Sequence, residues 1–296
     1  MPLITVFTPT YNRAYCLHKC YESLRRQTSK DFLWLIIDDG STDGTAELVQ
    51  KWVDETAQFE IRYVYKENGG LHTGYNTAIE RLDTELAICV DSDDYLVDDA
   101  VESIADFWRR NNDGRVAGIA ALDGREDGSV IGDPFPSCRC INLIDLMVGK
   151  YKIRQGDRKL VFRSDLYKSV APQPTFDGEK NFNPHYMHLQ INQNRDMLVM
   201  NKVLCIVDYQ ADGMTNSIFR QYYNSPKSFA QTRRLYLSFP NTGLKFRFRQ
   251  CIHYVSSSIL AKDKCFLQSS PAKTLTVLAI PFGWLLSKVI IKKAKQ

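Results

Sequence analysis

The chain of 296 residues is 44% hydrophobic and 24% charged. That apolar share is enough to bury a sizeable core and excludes an intrinsically disordered protein. The eight cysteines stand apart along the sequence, which is typical of reduced thiols and not of a disulfide framework.

The N-terminal residues lack the basic and apolar segments of a cleaved signal peptide, so we expect a cytoplasmic protein. The net charge of +4 is unevenly distributed along the chain. Residues 219–296 contain 14 Lys and Arg against the single acid Asp263, whereas the rest of the chain has an excess of acids. Such a basic C-terminal region favours an anionic partner, which nucleic acid or an anionic membrane would provide.

Apolar runs alternate with helical patterns over the first 125 residues. The pattern predicts strands at 3–8, 32–37, 61–65, 86–90 and 116–122 and helices at 16–26, 43–53, 73–82 and 98–110. Nearly continuous apolar strands separated by helices predict an α/β fold, with a mostly parallel central sheet covered by helices on both faces.

The remaining sequence is less regular at first and then helical. Strands are expected at 159–162 and 203–209 within residues 126–220. No linker separates this segment from the first, so residues 1–220 are expected to form one domain. Residues 221–296 are expected to form a helical, basic C-terminal region.

Polar residues directly follow four of the predicted strands. These segments are TPTYNR (8–13), DDGST (38–42), ENGG (67–70) and DSDD (91–94). In sheets of this type ligands bind beyond the carboxyl ends of the strands, so we expect the segments to form one site. None of them contains the GxGxxG pattern of dinucleotide-binding proteins, which disfavours a Rossmann dehydrogenase.

Three carboxylates, those of Asp91, Asp93 and Asp94, follow one buried strand. Carboxylates this close repel one another unless cations neutralise them. Oxygen ligands suit Mg²⁺ or Mn²⁺, and Mg²⁺ often bridges protein carboxylates to substrate phosphates. The alternative is a solvated acidic loop. In the same way, Asp38 and Asp39 could serve only as turn and cap residues.

In this order and spacing, the four segments resemble those of glycosyltransferase family 2. The resemblance is strong over residues 1–125 and weaker over 126–220. It implies a GT-A fold, an inverting reaction and a nucleotide-sugar donor, with 1–125 as the donor-binding half and 126–220 as the acceptor half.

The resemblance also implies roles for individual residues. Thr10 and Tyr11 would line the nucleotide base and ribose, and Asp39 would accept a hydrogen bond from the base, usually uracil. Asn68 and Gly69 would flank the same pocket.

The family's DXD motif corresponds to Asp91 and Asp93. By this resemblance Asp91 lies nearer the ribose, and Asp93 is the preferred ligand of a Mg²⁺ or Mn²⁺ ion. The spacing leaves Asp94 open as the alternative metal ligand.

The catalytic base of the family is an acid that precedes a C-terminal helix, usually in a Glu-Asp pair. In PTFDGEKNF (174–182), Glu179 takes the first position and Lys180 replaces the second acid, as in a subset of bacterial members with GEK. We therefore expect Glu179 to deprotonate the acceptor hydroxyl, with Asp177 as the second candidate. A surface turn around Gly178 would be the non-catalytic explanation.

A later segment, 207–217, resembles the family's loop that closes over the donor diphosphate and the acceptor, with Thr215, Ser217 and Arg220 as candidate contacts. His185 and His188 lack the further ligands of a zinc site. They lie beside the expected acceptor loop, so acceptor binding is the alternative to the structural role that we expect. Leu71 stands where related sequences often carry Lys, which puts a phosphate contact at that position in doubt.

These features predict a metal-dependent glycosyltransferase that moves a sugar from a UDP-sugar to a glycan or lipid-linked glycan acceptor in surface polysaccharide biosynthesis. Two alternatives stay open. A sugar-phosphate nucleotidyltransferase is expected to have a glycine-rich basic loop after the first strand, where this chain has TPTYNR. A non-catalytic membrane-binding or nucleic-acid-binding protein on a relic fold would not need an intact DSDD.

The C-terminal region favours the membrane over nucleic acid as its partner. Residues 274–287 form an uncharged run of 14, interrupted by Pro281 and Gly283, which is shorter than the roughly 20 apolar residues of a spanning helix. Several lysines follow it, and residues 244–255 alternate basic with aromatic and aliphatic side chains. We expect peripheral attachment to the inner face of the cell membrane. A packed C-terminal helix and a true span are the alternatives.

Overall fold

The computed structural model of the protein describes residues 1–208 and 218–295. The strands are β1 (Ile4–Thr10), β2 (Phe32–Asp38), β3 (Glu60–Tyr65), β4 (Leu86–Cys89), β5 (Tyr95–Leu96), β6 (Gly118–Gly124), β7 (Cys140–Ile141), β8 (Arg158–Arg163) and β9 (Met197–Ile206). The helices are α1 (Leu17–Arg26), α2 (Thr45–Glu55), α3 (Leu71–Glu80), α4 (Ala100–Asn111), α5 (Leu143–Met147), α6 (Ser164–Val170), α7 (His185–Asn192), α8 (Ile218–Asn224), α9 (Pro226–Ser238), α10 (Leu244–Leu260), α11 (Phe266–Ser269) and α12 (Lys273–Ala294).

The strands form one sheet in the order β3-β2-β1-β4-β8-β6-β9-β5, with β7 paired to β9. The first four strands in this order run parallel, as predicted. Strand β8 is antiparallel to both of its neighbours, and β5 and β7 are antiparallel to β9, so the second half of the sheet is mixed. The predicted strand at 203–209 is the end of the longer β9, whose apolar pattern is broken by Asn201 and Lys202.

Strands β1 and β2 are buried over all of their residues, because both faces of this part of the sheet are covered. On one face Tyr21 of α1 stacks on Trp52 of α2 with ring centroids 4.3 Å apart. The indole of Trp34 lies beside them and donates a hydrogen bond of 2.9 Å to Thr8 Oγ1. Burial on both faces explains why these strands read as continuous apolar runs.

The chain divides into two compact units. The first contains the sheet and comprises Met1–Gly69, Thr73–Pro172 and the chain from Met187 through β9. The second comprises Gly70–His72, Gln173–Tyr186 and the C-terminal helices α8 to α12. The predicted boundary at residue 220 therefore separates two segments that the structure groups together, since the loop 173–186 belongs with the C-terminal helices.

The C-terminal helices have a small core of their own. It is formed by buried side chains of α9, α10 and α12, namely Leu237, Cys251, Tyr254, Val255 and Ala279. The expectation of a helical C-terminal region is confirmed by this arrangement.

Helix α12 continues through Pro281 and Gly283, the two residues that interrupt the apolar run in the sequence. In the interior of an isolated helical peptide, proline is about 3 kcal/mol and glycine about 1 kcal/mol less favourable than alanine. Tertiary packing overrides that preference here. Gly283 is buried against α10, where a Cβ on it would lie only 2.5 Å from Val255 Cβ. The glycine thus permits close contact between the two helices.

Replacing Gly283 by alanine is expected to lower the free energy of unfolding by about 1–3 kcal/mol, because the added methyl group overpacks the contact with Val255. Urea denaturation monitored by circular dichroism measures the effect. Leu285→Ala is the matched control in the same helix, because Leu285 is 59% exposed and its truncation should change stability by less than about 0.5 kcal/mol. Equal stability of Gly283→Ala and the wild type would contradict the close helix contact.

Candidate active site

The parallel register brings the ends of β1, β2 and β3 to one level. Thr10 pairs with Asp38, and Asp38 pairs with Tyr65. The ladder continues one residue further, because the Asp39 N–H donates to Thr10 O at 2.8 Å and the Lys66 N–H donates to Asp38 O at 2.9 Å. Segments far apart in sequence therefore begin side by side at the carboxyl edge of the sheet.

Asp39 is the centre of a hydrogen-bonded network at this edge and is 5% exposed. Its Oδ1 accepts from the Lys66 ammonium at 2.5 Å and from the Gly69 N–H at 3.0 Å. The Asn68 side chain donates to the Asp39 carbonyl at 2.8 Å and contacts Oδ2 at 3.3 Å. The structure thus brings together Asp39, Asn68 and Gly69, which sequence reasoning had assigned to one pocket.

Lys66 was missed by sequence reasoning. Its ammonium also donates to Thr73 Oγ1 of α3 at 2.8 Å, so it ties the start of the loop after β3 to the helix that follows. The available signal was its position, because it is the first residue after β3 and therefore lies at the same edge as the predicted site.

The loop after β1 is fixed to the loop after β2. Asn12 has a left-handed backbone (φ 52°), which asparagine tolerates better than most residues. Its N–H donates to Ser41 Oγ and its side-chain oxygen accepts from the Thr42 N–H, both at 2.8 Å. Tyr11, the residue before Asn12, is 49% exposed. Thr10 is buried, and its hydroxyl has no hydrogen-bond partner among the described residues.

The acidic segment after β4 is a turn that the Asp94 N–H closes by donating to Asp91 O at 3.0 Å. Its three carboxylates differ in environment. Asp91 is exposed, Asp93 is half-buried and Asp94 is 5% exposed. Burial, followed by the negative charge of Asp91, raises the pKa of Asp93. A cation bound at this turn would relieve that repulsion.

Asp94 belongs to a buried cluster of charges. Its Oδ2 lies 3.8 Å from the ammonium of Lys159 on β8, and that ammonium lies 3.7 Å from Asp123 Oδ1 on β6. Burial raises the pKa of Asp94 to about 8 and that of Asp123 to about 6, and the positive charge of Lys159 opposes both shifts. Lys159 was not identified from the sequence, although a lysine within an apolar strand was a signal.

Asp91 and Asp93 are the carboxylates of this turn that could hold a metal, since neither forms an ion pair with a described residue. Within residues 1–208 and 218–295, no group of three or more His, Cys, Asp and Glu side chains is arranged to hold a metal ion. The turn therefore fits a cation that takes one or two ligands from the protein and the rest from phosphates and water, as Mg²⁺ commonly does.

The loop 173–186 of the second unit carries the two candidate bases. These residues lie at a turn, in which the Glu179 N–H donates to Phe176 O at 3.0 Å. Gly178 in this turn has φ 77°, a conformation that glycine adopts without strain. Asp177 is exposed at this turn and forms no hydrogen bond or ion pair with any described residue. A turn around Gly178 was the expected non-catalytic feature, and it is present.

Glu179 is 8% exposed and caps a helix. Its Oε1 accepts from the Lys227 N–H at 2.8 Å, and its Oε2 accepts from the Ser228 N–H at 2.8 Å and the Ser228 hydroxyl at 2.7 Å. Both N–H groups belong to the first turn of α9, where they have no partner within the helix. A carboxylate at this end of a helix is also favoured by the helix dipole.

The other residues singled out in the sequence lie outside these two groups. Thr215 and Ser217 lie outside the described residues, and Arg220 is exposed on α8. His188 stacks on Phe162 with ring centroids 4.8 Å apart, and its Nε2 shares a hydrogen bond of 2.9 Å with the Tyr167 hydroxyl. These two contacts hold the His188 side chain within the first unit.

Comparison with known protein families identifies the family to which the chain belongs. The family model described as glycosyl transferase family 2 matches residues 5–167, which is more than half of the chain. The chain belongs to glycosyl transferase family 2. The matched range contains the Asp39 network, the acidic turn and Lys159, while the loop 173–186 lies beyond it.

Curated members of family 2 are similar to this chain in part or over nearly all of its length. Glycosyltransferase GlyA of Streptococcus pneumoniae is 35% identical over 101 residues, which are 34% of this chain and 14% of GlyA. The chondroitin synthase of Pasteurella multocida is 36% identical over 102 residues, 34% of this chain and 10% of the synthase. The chain thus spans only a small part of these two relatives. The poly(ribitol-phosphate) β-N-acetylglucosaminyltransferase TarP of Staphylococcus aureus is 23% identical over 298 residues, covering 93% of this chain and 89% of TarP.

Two solved structures confirm the predicted fold class. S. aureus TarS 1–349, solved in complex with UDP-GlcNAc, matches with a TM-score of 0.65 at 15% identity and covers 100% of this chain and 92% of that chain. The mannosyltransferase PcManGT of Pyrobaculum calidifontis, in complex with GDP-Man and Mn²⁺, matches with a TM-score of 0.60 at 18% identity, covering 99% of this chain and 86% of that chain. The fold of this family 2 chain is that of the GT-A transferases.

Proposed function

We propose that this chain transfers a sugar from a UDP-sugar to a glycan or lipid-linked glycan acceptor, with inversion, in the synthesis of a surface polysaccharide. The observation that carries the proposal is the site at the carboxyl edge of the sheet, where the Asp39 network and the acidic turn Asp91–Asp94 follow β2 and β4, the parallel strands on either side of β1. UDP is favoured as the nucleotide because TarS binds UDP-GlcNAc and TarP is an N-acetylglucosaminyltransferase. The GDP-Man complex of PcManGT makes GDP the nucleotide to test against it.

The nucleotide is proposed to lie between Tyr11 and Asp39. The half-exposed ring of Tyr11 offers a face on which a base or ribose can pack. Asp39, at the centre of the hydrogen-bonded network, is the proposed acceptor for an N–H of the base. Thr10 would line this pocket through its backbone, because its side chain is buried.

The diphosphate is proposed to meet the acidic turn through a divalent cation. Asp93 is the proposed ligand and Asp91 is proposed to lie nearer the ribose. Asp94 is a poorer candidate for the metal because its carboxylate faces Lys159 within the protein. A bound Mg²⁺ or Mn²⁺ would neutralise the diphosphate and stabilise it as a leaving group.

Inverting transfer also needs a base with a free lone pair that takes the proton from the acceptor hydroxyl. The resemblance favours Glu179, but both of its oxygens already accept hydrogen bonds from the first turn of α9, which leaves at most one lone pair on Oε1. Asp177 is exposed two residues earlier in the same loop, and its oxygens are engaged by no described residue. We therefore propose Asp177 as the base and Glu179 as the residue that orders the loop. From an α-linked donor the product would be β-linked.

Attachment to a membrane surface is proposed through α12. Among the described helices, one is long and apolar enough to cross a membrane, and it is α12. Its buried face carries mostly small residues, whereas its exposed face carries large apolar ones. The exposed side chains are Val277, Leu278, Phe282, Trp284, Leu285 and Val289. A contiguous apolar face of this kind on a protein surface indicates an interaction site.

The contacts of α12 favour a helix that lies on the membrane over one that spans it. Its small-residue face packs closely on α10 at Gly283, and α10 exposes basic residues such as Lys245 and Arg249. A span would break this contact or carry those charges into the bilayer. Lys288 and Lys292 continue the exposed face of α12 and suit anionic headgroups.

The donor proposal predicts that UDP binds at least tenfold more tightly with Mn²⁺ than without it, and that Asp93→Asn removes this gain. Isothermal titration calorimetry of UDP measures both values. Asp98→Asn is the control, because Asp98 is an exposed acid five residues further along that pairs with Arg26. Equal UDP affinity with and without Mn²⁺ in the wild type would contradict the metal site, and tighter binding of GDP would contradict the choice of nucleotide.

The base assignment predicts opposite results for two neighbouring acids. Asp177→Asn should reduce the rate of UDP release from the donor sugar by about a hundredfold, with unchanged stability and UDP affinity. Glu179→Gln should instead lower the free energy of unfolding by about 1–2 kcal/mol, because an anion is lost from the α9 N-terminus. If Glu179→Gln is as stable as the wild type but a hundredfold slower, Glu179 is the base.

The membrane proposal predicts co-sedimentation with vesicles of phosphatidylcholine and phosphatidylglycerol, but not with phosphatidylcholine alone. Phe282→Glu combined with Leu285→Glu should abolish binding, since both side chains are more than half exposed on α12. Val53→Glu on α2, also at an exposed apolar position, is the control. Retention of the cellular protein in membranes after a carbonate wash would indicate a span, and a soluble protein that ignores both vesicles would refute attachment.

A further inference from the structure

The carboxylate of Asp94 is held on two sides inside the first unit. Its Oδ2 lies 3.8 Å from Lys159 Nζ, and its Oδ1 accepts from the Asp208 N–H at 3.2 Å. Lys159 and Asp94 are 7% and 5% exposed, so little water competes for this contact. The cation comes from β8, which pairs directly with β4, the strand that leads into the acidic turn.

Asp94 is also the residue that closes the turn. Its N–H donates to Asp91 O at 3.0 Å, and Asp93 stands immediately before it in the chain. A second contact holds the middle of the turn, where the Cys16 thiol lies 3.6 Å from Ser92 O. The direction in which Asp93 presents its carboxylate therefore depends on where the side chain of Asp94 is anchored.

We propose that Lys159 is a positioning residue for cation and diphosphate binding, acting through Asp94. This inference rests on the proposed donor site. Without the ammonium, Asp94 and Asp123 would be two buried carboxylates with no cation between them. The Asp94 side chain would lose one of its two anchors, and the turn that carries Asp93 would be held less firmly.

The test is calorimetry of UDP with and without Mn²⁺ on Lys159→Met, which keeps a side chain of similar length but removes the charge. We expect Mn²⁺-dependent UDP affinity to fall by about 10–100-fold, the range typical for loss of a residue that orients a metal ligand. Affinity for UDP without metal should not change. Lys159→Arg, which restores a positive charge, should recover part of the loss.

Asp123→Asn is the matched control, because it removes the other carboxylate beside Lys159 and leaves the Asp94 contact in place. It should keep the Mn²⁺ dependence of the wild type. If Lys159→Met does not fold by circular dichroism, Lys159→Gln, which is neutral but retains hydrogen-bond donors, takes its place with the same expected loss.

The outcomes separate the two proposals. A folded Lys159→Met with unchanged Mn²⁺ dependence would overturn the positioning role. Tighter Mn²⁺-dependent binding would also overturn it, because Lys159 would then compete with the cation for Asp94. If the wild type itself shows no Mn²⁺-dependent UDP binding, the proposed donor site fails, whatever the variants do.

Discussion

The electrostatic repulsion among Asp91, Asp93 and Asp94 is the constraint on which the candidate site depends. Three carboxylates in four residues at the end of a buried strand are unfavourable unless each is compensated by a cation, a hydrogen bond or a proton. The fold compensates one of them internally, because Asp94 faces Lys159 of the adjacent β8. Asp91 and Asp93 remain on the outer side of the turn, where a cation brought with a diphosphate would compensate them. In the proposed donor complex, an internal and an external cation would thus share the charge of one short turn.

The parallel sheet determines where each loop of the site begins, because the parallel strands end at the same edge. Hydrogen bonding of Asp39 to Thr10 and of Lys66 to Asp38 extends the ladder past the ends of β1 to β3. The loops therefore start as part of the sheet. This is why the side chains of Asp39 and Lys66, 27 positions apart, meet at 2.5 Å.

The part of the site that follows apolar strands was predictable, because a buried parallel strand shows as a continuous apolar run and its end is marked by the first polar residue. The segments that contain Asp39, Asn68 and Gly69 were located in this way, and the resemblance to family 2 then singled out the individual residues. Lys159 was not identified, since its partners Asp94 and Asp123 are far from it in sequence and only the pairing of β8 with β4 and β6 brings them together. The close contact of Gly283 with Val255 was missed for a related reason, because it is a tertiary contact that local helix preference does not contain.

Glu179 illustrates how a residue at a motif position can serve a structural role. The first turn of α9 has N–H groups without helical partners, and Ser225, the residue before the helix, does not cap them with its side chain. Glu179 supplies the missing acceptor from the loop 173–186. A base must offer a lone pair to an incoming hydroxyl, whereas a cap must keep its lone pairs on the helix, and the two oxygens of Glu179 already accept three hydrogen bonds. Capping holds the loop that carries Asp177, so Glu179 also influences where a neighbouring carboxylate is placed.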